Sequence, residues 1–416
     1  MNLFSLVFGL AVIAQAAVHL WLDHRQIRHV ARHRQRVPEA FATRIALADH
    51  QKAADYTATH TRFAQYELLL ASVLLLIWTL GGGLDLLDRA WRHLELPELI
   101  TGVGVMLSAF ALMALLDLPA ALYRTFVIEE RFGFNRTTPK MFFYDLLKQG
   151  LLLLALGIPL ATLVLWLMQT PGGLGWLKAW VAWLGFSLFM TWAYPVFIAP
   201  LFNKFRPLDD FELRSRIEAL LARNGFSSKG FFVMDGSLRS THGNAYFTGF
   251  AKNKRIVFFD TLLKELQPSE VESVLAHELG HYKCRHVLKR MVLMAGLSLV
   301  GVALLAWLME QPWFYPGLGV SQPSVHTAIV LFLMIAPVFG MLLQPVLAAL
   351  SRRHEFEADN FAAEQADAGS LIRALVKLYR ENARTLTPDP LYSAFHDSHP
   401  PVPLRVAQLA AKTRGA

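Results

Sequence analysis

Residues 277–281 read His-Glu-Leu-Gly-His. On a helix, positions i and i+4 share one face, so both imidazoles can close on one divalent ion, for which zinc is the usual choice. Glu278 sits beside them, near enough to take a proton from water at the metal without being a ligand itself. The chemistry such a pattern supports is peptide-bond hydrolysis. Pro268-Ser269-Glu270, just upstream, has the character of a helix start, with Glu in the first turn.

Two histidines do not complete a catalytic zinc site, which has three protein ligands. The metzincin pattern would put Gly at 284 and His at 287, where this chain has Cys284 and Val287. On a continuous helix His286, five residues beyond His281, points off the ligand face, and Cys284 faces away as a plain thiol. A carboxylate from elsewhere is the better candidate. Residues 351–359 read Ser-Arg-Arg-His-Glu-Phe-Glu-Ala-Asp. Glu355 and Asp359 are i and i+4 on one helical face, and Glu357 points away. Glu355 suits a third ligand, with Asp359 holding a ligand histidine's free N–H. Spacing alone leaves a plain solvated acidic face equally open.

The elements that must position these groups are mostly apolar. The chain has 416 residues, 54% hydrophobic and 17% charged, against about 25% charged in an ordinary soluble domain. Seven stretches approach the roughly 20 residues that cross a bilayer: 3–22, 68–87, 99–122, 149–169, 174–200, 287–309 and 325–350. Asp117 and Pro119 in the third and Pro195 in the fifth mark candidate kinks or a cavity wall. The first stretch has a signal-like Ala14-Gln15-Ala16, but no basic residue precedes it, so it reads as a span.

The basic residues assign sides. Of 40 Lys and Arg, 37 fall in segments 23–65, 123–148, 201–290 and 351–416, and only Arg89, Arg92 and Lys178 lie in the other connections. The positive-inside rule then puts the amino terminus outside and the carboxyl terminus in the cytoplasm. The net charge of +8 becomes an orientation signal, and with no separate basic domain a nucleic-acid partner is disfavoured. A metal transporter would carry charged ligands inside several spans; here the candidate ligands lie outside them. The single cysteine, Cys284, excludes an internal disulfide framework. The chain therefore divides into spans 1–5 with their cytoplasmic loops (1–200), a protease segment with the His-Glu helix (201–286), spans 6 and 7 (287–350), and a carboxyl-terminal segment with the third ligand (351–416). The zinc helix is expected to run on through Val287 into the sixth span. The metal would then lie about two turns from the membrane boundary.

Together these residues resemble the type 1 CAAX prenyl protease family of integral-membrane zinc metalloproteases. The resemblance rests on His277-Glu-Leu-Gly-His281-Tyr-Lys, Ser351-Arg-Arg-His-Glu355-Phe-Glu-Ala-Asp359, Glu129-Glu-Arg-Phe-Gly-Phe-Asn135, Arg239-Ser-Thr-His-Gly-Asn244-Ala-Tyr-Phe and His399-Pro-Pro. It implies an all-α membrane protein whose seven transmembrane helices form a barrel around a water-filled chamber, with a cytoplasmic zinc domain that contains a small sheet or hairpin. It implies Glu355 as third ligand to one Zn²⁺ per chain, and substrate roles for Asn244 and His399. Asn244-Ala245-Tyr246 reads as an extended edge that could pair with a substrate backbone, or as one arm of a plain hairpin whose other arm is Ile256–Phe259. His399 is a candidate donor to the developing oxyanion, with His242 and His396 as weaker rivals. Arg405 suits substrate binding or a structural salt bridge equally. The implied partners are the lipid bilayer and peptides or prenylated protein C-termini, in a bacterial inner membrane or the endoplasmic reticulum.

Overall fold

Apolar runs of this length persist in lipid as helices because a helix satisfies its own backbone. The computed structural model describes residues 2–170, 173–248 and 253–415. Among these residues, seven helices are long and apolar enough to span a membrane. They are α1 (Leu3–His33), α2 (Leu47–Trp78), then, after the short α3 (Gly83–Arg92), α4 (Glu98–Tyr123), α5 (Pro139–Met168) and α6 (Gly175–Ala193). Between α6 and the last two spans lie β1 (Phe205–Pro207), α7 (Phe211–Arg223), β2 (Ser227–Met234), β3 (Ala245–Thr248), β4 (Asn253–Phe259) and α8 (Pro268–Lys283). The sixth span is α9 (His286–Met309). The seventh is α10 (Val325–Gly340) continued by α11 (Gln344–Gln365). Helices α12 (Ala368–Glu381), α13 (Pro390–His396) and α14 (Val402–Gly415) close the chain.

Two expectations need correction. The second span does not reach residue 87. Gly81-Gly82-Gly83, with Gly82 at φ +75°, stops α2 and turns the chain into α3. There Asp85 accepts from Ser321, and Asp88 lies 2.7 Å from His326 Nε2. The zinc helix also does not run into the sixth span. α8 ends at Lys283, and Arg285 adopts a left-handed φ of +58° before α9 begins. The proline expectations have a structural counterpart. A π-helical turn, Arg124–Glu129, follows Pro119, and another, Tyr194–Ile198, contains Pro195.

The molecule has two principal cores. One joins the span ends through Phe8, Leu84, Val105, Leu165, Phe314 and Leu331. The other packs the sheet against α7, α8, α11, α12 and α14 through Ile217, Ile256, Phe258, Leu275, Leu279 and Leu409. Between them the spans are sparsely packed: only 6–28% of each apolar window is buried. A hollow lies inside, and Gln15, Leu75, Asp117 and Met334 from four spans line part of it, a cavity of about 290 Å³. The sheet order is β1-β2-β4-β3, with β2 and β4 parallel. Ala245 pairs with Phe258 and Phe247 with Ile256, so among the described residues β3 is an edge strand paired with the stretch expected.

A joint ties spans to sheet. The π turn places Glu129 where Tyr56 Oη donates to it at 2.8 Å and His60 Nε2 meets it at 2.9 Å. Beyond the turn, Arg136 N–H donates to Arg239 O at 3.1 Å and Thr241 N–H to Phe134 O at 3.3 Å. The Arg239 guanidinium reaches back to Asp145 at 2.9 Å. The two motifs, 129–135 and 239–247, are therefore one structural unit.

α8 and α11 approach closely at Gly280. A Cβ there would lie 3.0 Å from Ala358 Cα and 3.1 Å from its carbonyl oxygen. Gly280→Ala should force the helices apart and destabilise the protein by about 1–3 kcal/mol. A thermal midpoint equal to that of the parent would contradict this packing.

Candidate metal centre

The site is assembled from three helices and one loop. Gln267 and Glu270 cap the start of α8 reciprocally, with Gln267 N–H donating to Glu270 Oε2 at 2.8 Å. Two turns on, His277 and His281 project from one face with their rings nearly perpendicular, 4.9 Å apart. Their Nε2 atoms are 3.3 Å apart. From α11, Glu355 places Oε2 3.4 Å from His277 Nε2 and Oε1 3.4 Å from His281 Nε2. Zinc with bonds of about 2.0–2.1 Å holds tetrahedral ligand atoms roughly 3.3–3.4 Å apart, so these three donors fit it. Glu355 Oε2 is buried without a hydrogen-bond partner, as expected of an oxygen reserved for a cation.

His277 is braced from behind. Its Nδ1 lies 2.9 Å from Asp359 Oδ1. Asp359, fully buried, also receives Arg405 Nε at 2.7 Å and Nη2 at 2.5 Å. Burial disfavours a charged His277, but the Asp359 and Glu355 carboxylates outweigh it and hold its pKa up at about 9. That surplus of negative charge suits a site built around a cation. Glu278 is half-buried on the same helix, and burial pushes its carboxyl up.

His399 comes from the loop before α14. Its Nε2 is 3.4 Å from Glu355 Oε1, and its Nδ1 is 3.0 Å from Ser398 Oγ. Arg352, one turn before Glu355, steadies this loop by donating to Asp397 O at 2.8 Å. His399 is exposed to a cavity of about 490 Å³ that is also lined by Tyr56, His60, Tyr392 and His396. Of the rivals, His242 stacks on Phe134 and meets Asn382 Oδ1 at 3.0 Å, while His396 lines the same cavity but meets Gln344.

Edge strand β3 runs beside α8. Tyr282 Oη, one turn past Glu278, donates to Phe247 O at 3.3 Å. Asn244 is exposed and its Oδ1 accepts from Ala245 N–H at 2.8 Å. Ala245 is buried against the core and Tyr246 is half-buried on the other face.

Arg405 is 6% exposed and held by Asp359, with Nη1 3.7 Å from Glu355. Of the two readings the sequence left open, this burial and pairing favour the structural salt bridge over substrate binding. The expectation for His286 is corrected. The turn at Arg285 swings it back, so that its Nδ1 is 3.0 Å from His281 Nδ1. Sequence reasoning missed this contact and the Glu129 joint. No sequence signal marks a left-handed arginine, whereas Pro119 was a usable hint of the π turn.

Comparison with known proteins decides the family. Residues 26–204 match the model of the CAAX prenyl protease N-terminal region with five membrane helices, and 207–413 match peptidase family M48. A CAAX prenyl protease 1 homolog of Arabidopsis thaliana is 37% identical over 80% of this chain and 78% of its own length. The chain belongs to the CAAX prenyl protease group of the M48 peptidases. The Homo sapiens homolog is 31% identical over 97% of this chain and 95% of its own length. The crystal structure of S. mikatae Ste24p superposes with a TM-score of 0.90 at 29% identity, covering 98% of this chain and 99% of that one. This M48 member is thus a multi-pass, membrane-embedded zinc metallopeptidase, and its barrel of helices around a hollow is that of the fold.

Arg405→Met leaves Asp359 buried without its bidentate partner. The variant should lose about 3–5 kcal/mol of stability. Adding Asp359→Leu should recover much of that loss. Thermal unfolding of both proteins checks it, and a single variant as stable as the parent would contradict the buried pair.

Proposed function

We propose that this chain hydrolyses peptide bonds in membrane-tethered substrates, with CAAX-type prenylated C-termini as the leading class, at one zinc ion held by His277, His281 and Glu355. The observation that carries the reading is the convergence of those three donor atoms to within 3.3–3.4 Å beside Glu278. Zinc bound there supplies a Lewis acid that polarises the scissile carbonyl and acidifies water. Glu278 accepts the attacking water's proton and returns it to the leaving amine; its burial, which favours the neutral form, suits a group that must carry a proton between steps. His399, on the open side of the ligand cluster, donates to the carbonyl oxygen as that atom gains charge. Asn244, Ala245 and Tyr246 offer the substrate backbone an edge on which to lie as an added strand. Arg405 and Asp359 act together, fixing the His277 ring rather than touching substrate.

The proposed placement follows from basic-residue asymmetry, with the amino terminus outside and segments 201–286 and 351–416 in the cytoplasm. A tethered substrate would then meet the zinc from the membrane side through the hollow. The membrane is a bacterial inner membrane or the endoplasmic reticulum.

Purified protein is offered a farnesylated CAAX peptide and its unprenylated twin, with and without a chelator. Cleavage that the chelator abolishes and that favours the farnesylated peptide is expected. Equal cutting of both removes prenyl recognition and leaves the peptidase. Glu278→Gln should bind zinc as the parent does and lose turnover by a factor of at least about 100. Retained turnover in that variant would overturn the role given to Glu278.

A further inference from the structure

A histidine that gives one ring nitrogen to a metal needs the other nitrogen held, because that second bond fixes both the tautomer and the ring's aim. At His277 the holder is Asp359, 2.9 Å from Nδ1. Among the described residues, the group at His281 Nδ1 is not a carboxylate but another imidazole, His286 Nδ1, at 3.0 Å. His286 in turn presents Nε2 to Glu357 Oε2 at 3.0 Å. The middle ring is well fixed: it is 4% exposed and stacks on His354 with centroids 4.1 Å apart and planes 13° from parallel. Arg353 Nε pairs with the other Glu357 oxygen at 3.0 Å.

One requirement places every proton. If His281 Nε2 gives its lone pair to zinc, the ring's proton is on Nδ1. His286 Nδ1 must then accept, which leaves the His286 proton on Nε2, pointing at Glu357. Two carboxylates of one helix, Asp359 and Glu357, thus brace the two histidines of another, the first directly and the second through a relay. The relay explains the turn. Continued helically past Lys283, α8 would point residue 286 off the ligand face, whereas the left-handed Arg285 returns it to His281.

We propose that His286 and Glu357 are positioning residues, a fixed hydrogen-bond relay that holds His281 in its zinc-ligating tautomer and orientation. The proposal rests on the assignment of His281 as a zinc ligand.

The test uses the full-length protein in detergent, with zinc affinity read by competition against a chromophoric chelator, zinc content counted per chain, and folding followed by thermal unfolding. His286→Leu should weaken zinc about 10–100-fold. Glu357→Ala should weaken it too in otherwise unaltered protein, and should add nothing in the His286→Leu background, because its effect passes through His286. His286→Asn places an amide oxygen near the lost Nδ1 and should recover much of the affinity; His286→Gln places its amide near Nε2 and should not. Where His286→Leu fails to fold, Glu357→Ala carries the test alone: weaker zinc with an unchanged metal-free thermal midpoint is expected. Unchanged affinity in these variants, or an equal cost of Glu357→Ala in both backgrounds, would overturn the relay. So would two zinc ions per chain, since the donor atoms of Cys284, His286 and Glu357 lie within 4.8 Å of one another and would then be ligands themselves. A parent protein that binds no zinc would instead remove the ligand assignment beneath the relay.

Discussion

Glu355 is a carboxylate held almost out of water between two imidazoles, with one oxygen left without a hydrogen bond. Removing such a group from water costs several kcal/mol unless opposite charge and full hydrogen bonding offset it. The protein alone does not complete the offset; a divalent cation bound as proposed would. Much of the remaining architecture follows from presenting that unfinished charge. α8 must lie against α11 closely enough for histidines and glutamate to converge, which requires Gly280 at the crossing. α11 must carry Arg352, Glu355, Glu357 and Asp359 in fixed phase, and a helix that continues a membrane span through one 3-10 turn supplies it.

That continuity also links chemistry to the bilayer. The seventh span runs through α10 into α11, so Glu355, the proposed third ligand, is carried on the far end of a membrane helix. On the other side, the π turn after α4 aims Glu129 at α2 and sets the chain against the strand segment that leads into β3. α8 is thus fixed between a span that carries Glu355 and a joint that positions edge strand β3. The hollow between the two cores is what remains when span ends and protease core are packed but the middle of the spans is not.

Much of this was legible in the sequence because it depends on local arithmetic. Hydropathy accumulates along the chain, so seven spans are visible without tertiary knowledge, though the glycines at 81–83 end α2 earlier than hydropathy alone suggests. The i, i+4 spacing of His277 and His281, and of Glu355 and Asp359, is likewise local. The residues read poorly were those whose role depends on a break or on a distant partner. A continuous helix would point both His286 and Glu357 away from the ligand face, and a left-handed arginine leaves no mark in composition. Arg405 was ambiguous because its partner is 46 positions away in a different helix.

The central claim is that two imidazoles and one carboxylate, and no other protein groups, surround a single zinc. Zinc K-edge X-ray absorption of the purified, metal-loaded protein tests it directly. One zinc per chain is expected, with only nitrogen and oxygen scatterers at about 2.0–2.1 Å and the outer-shell pattern of two imidazoles. A sulfur scatterer at about 2.3 Å, which only Cys284 or a methionine could provide, or the pattern of three imidazoles, would contradict it.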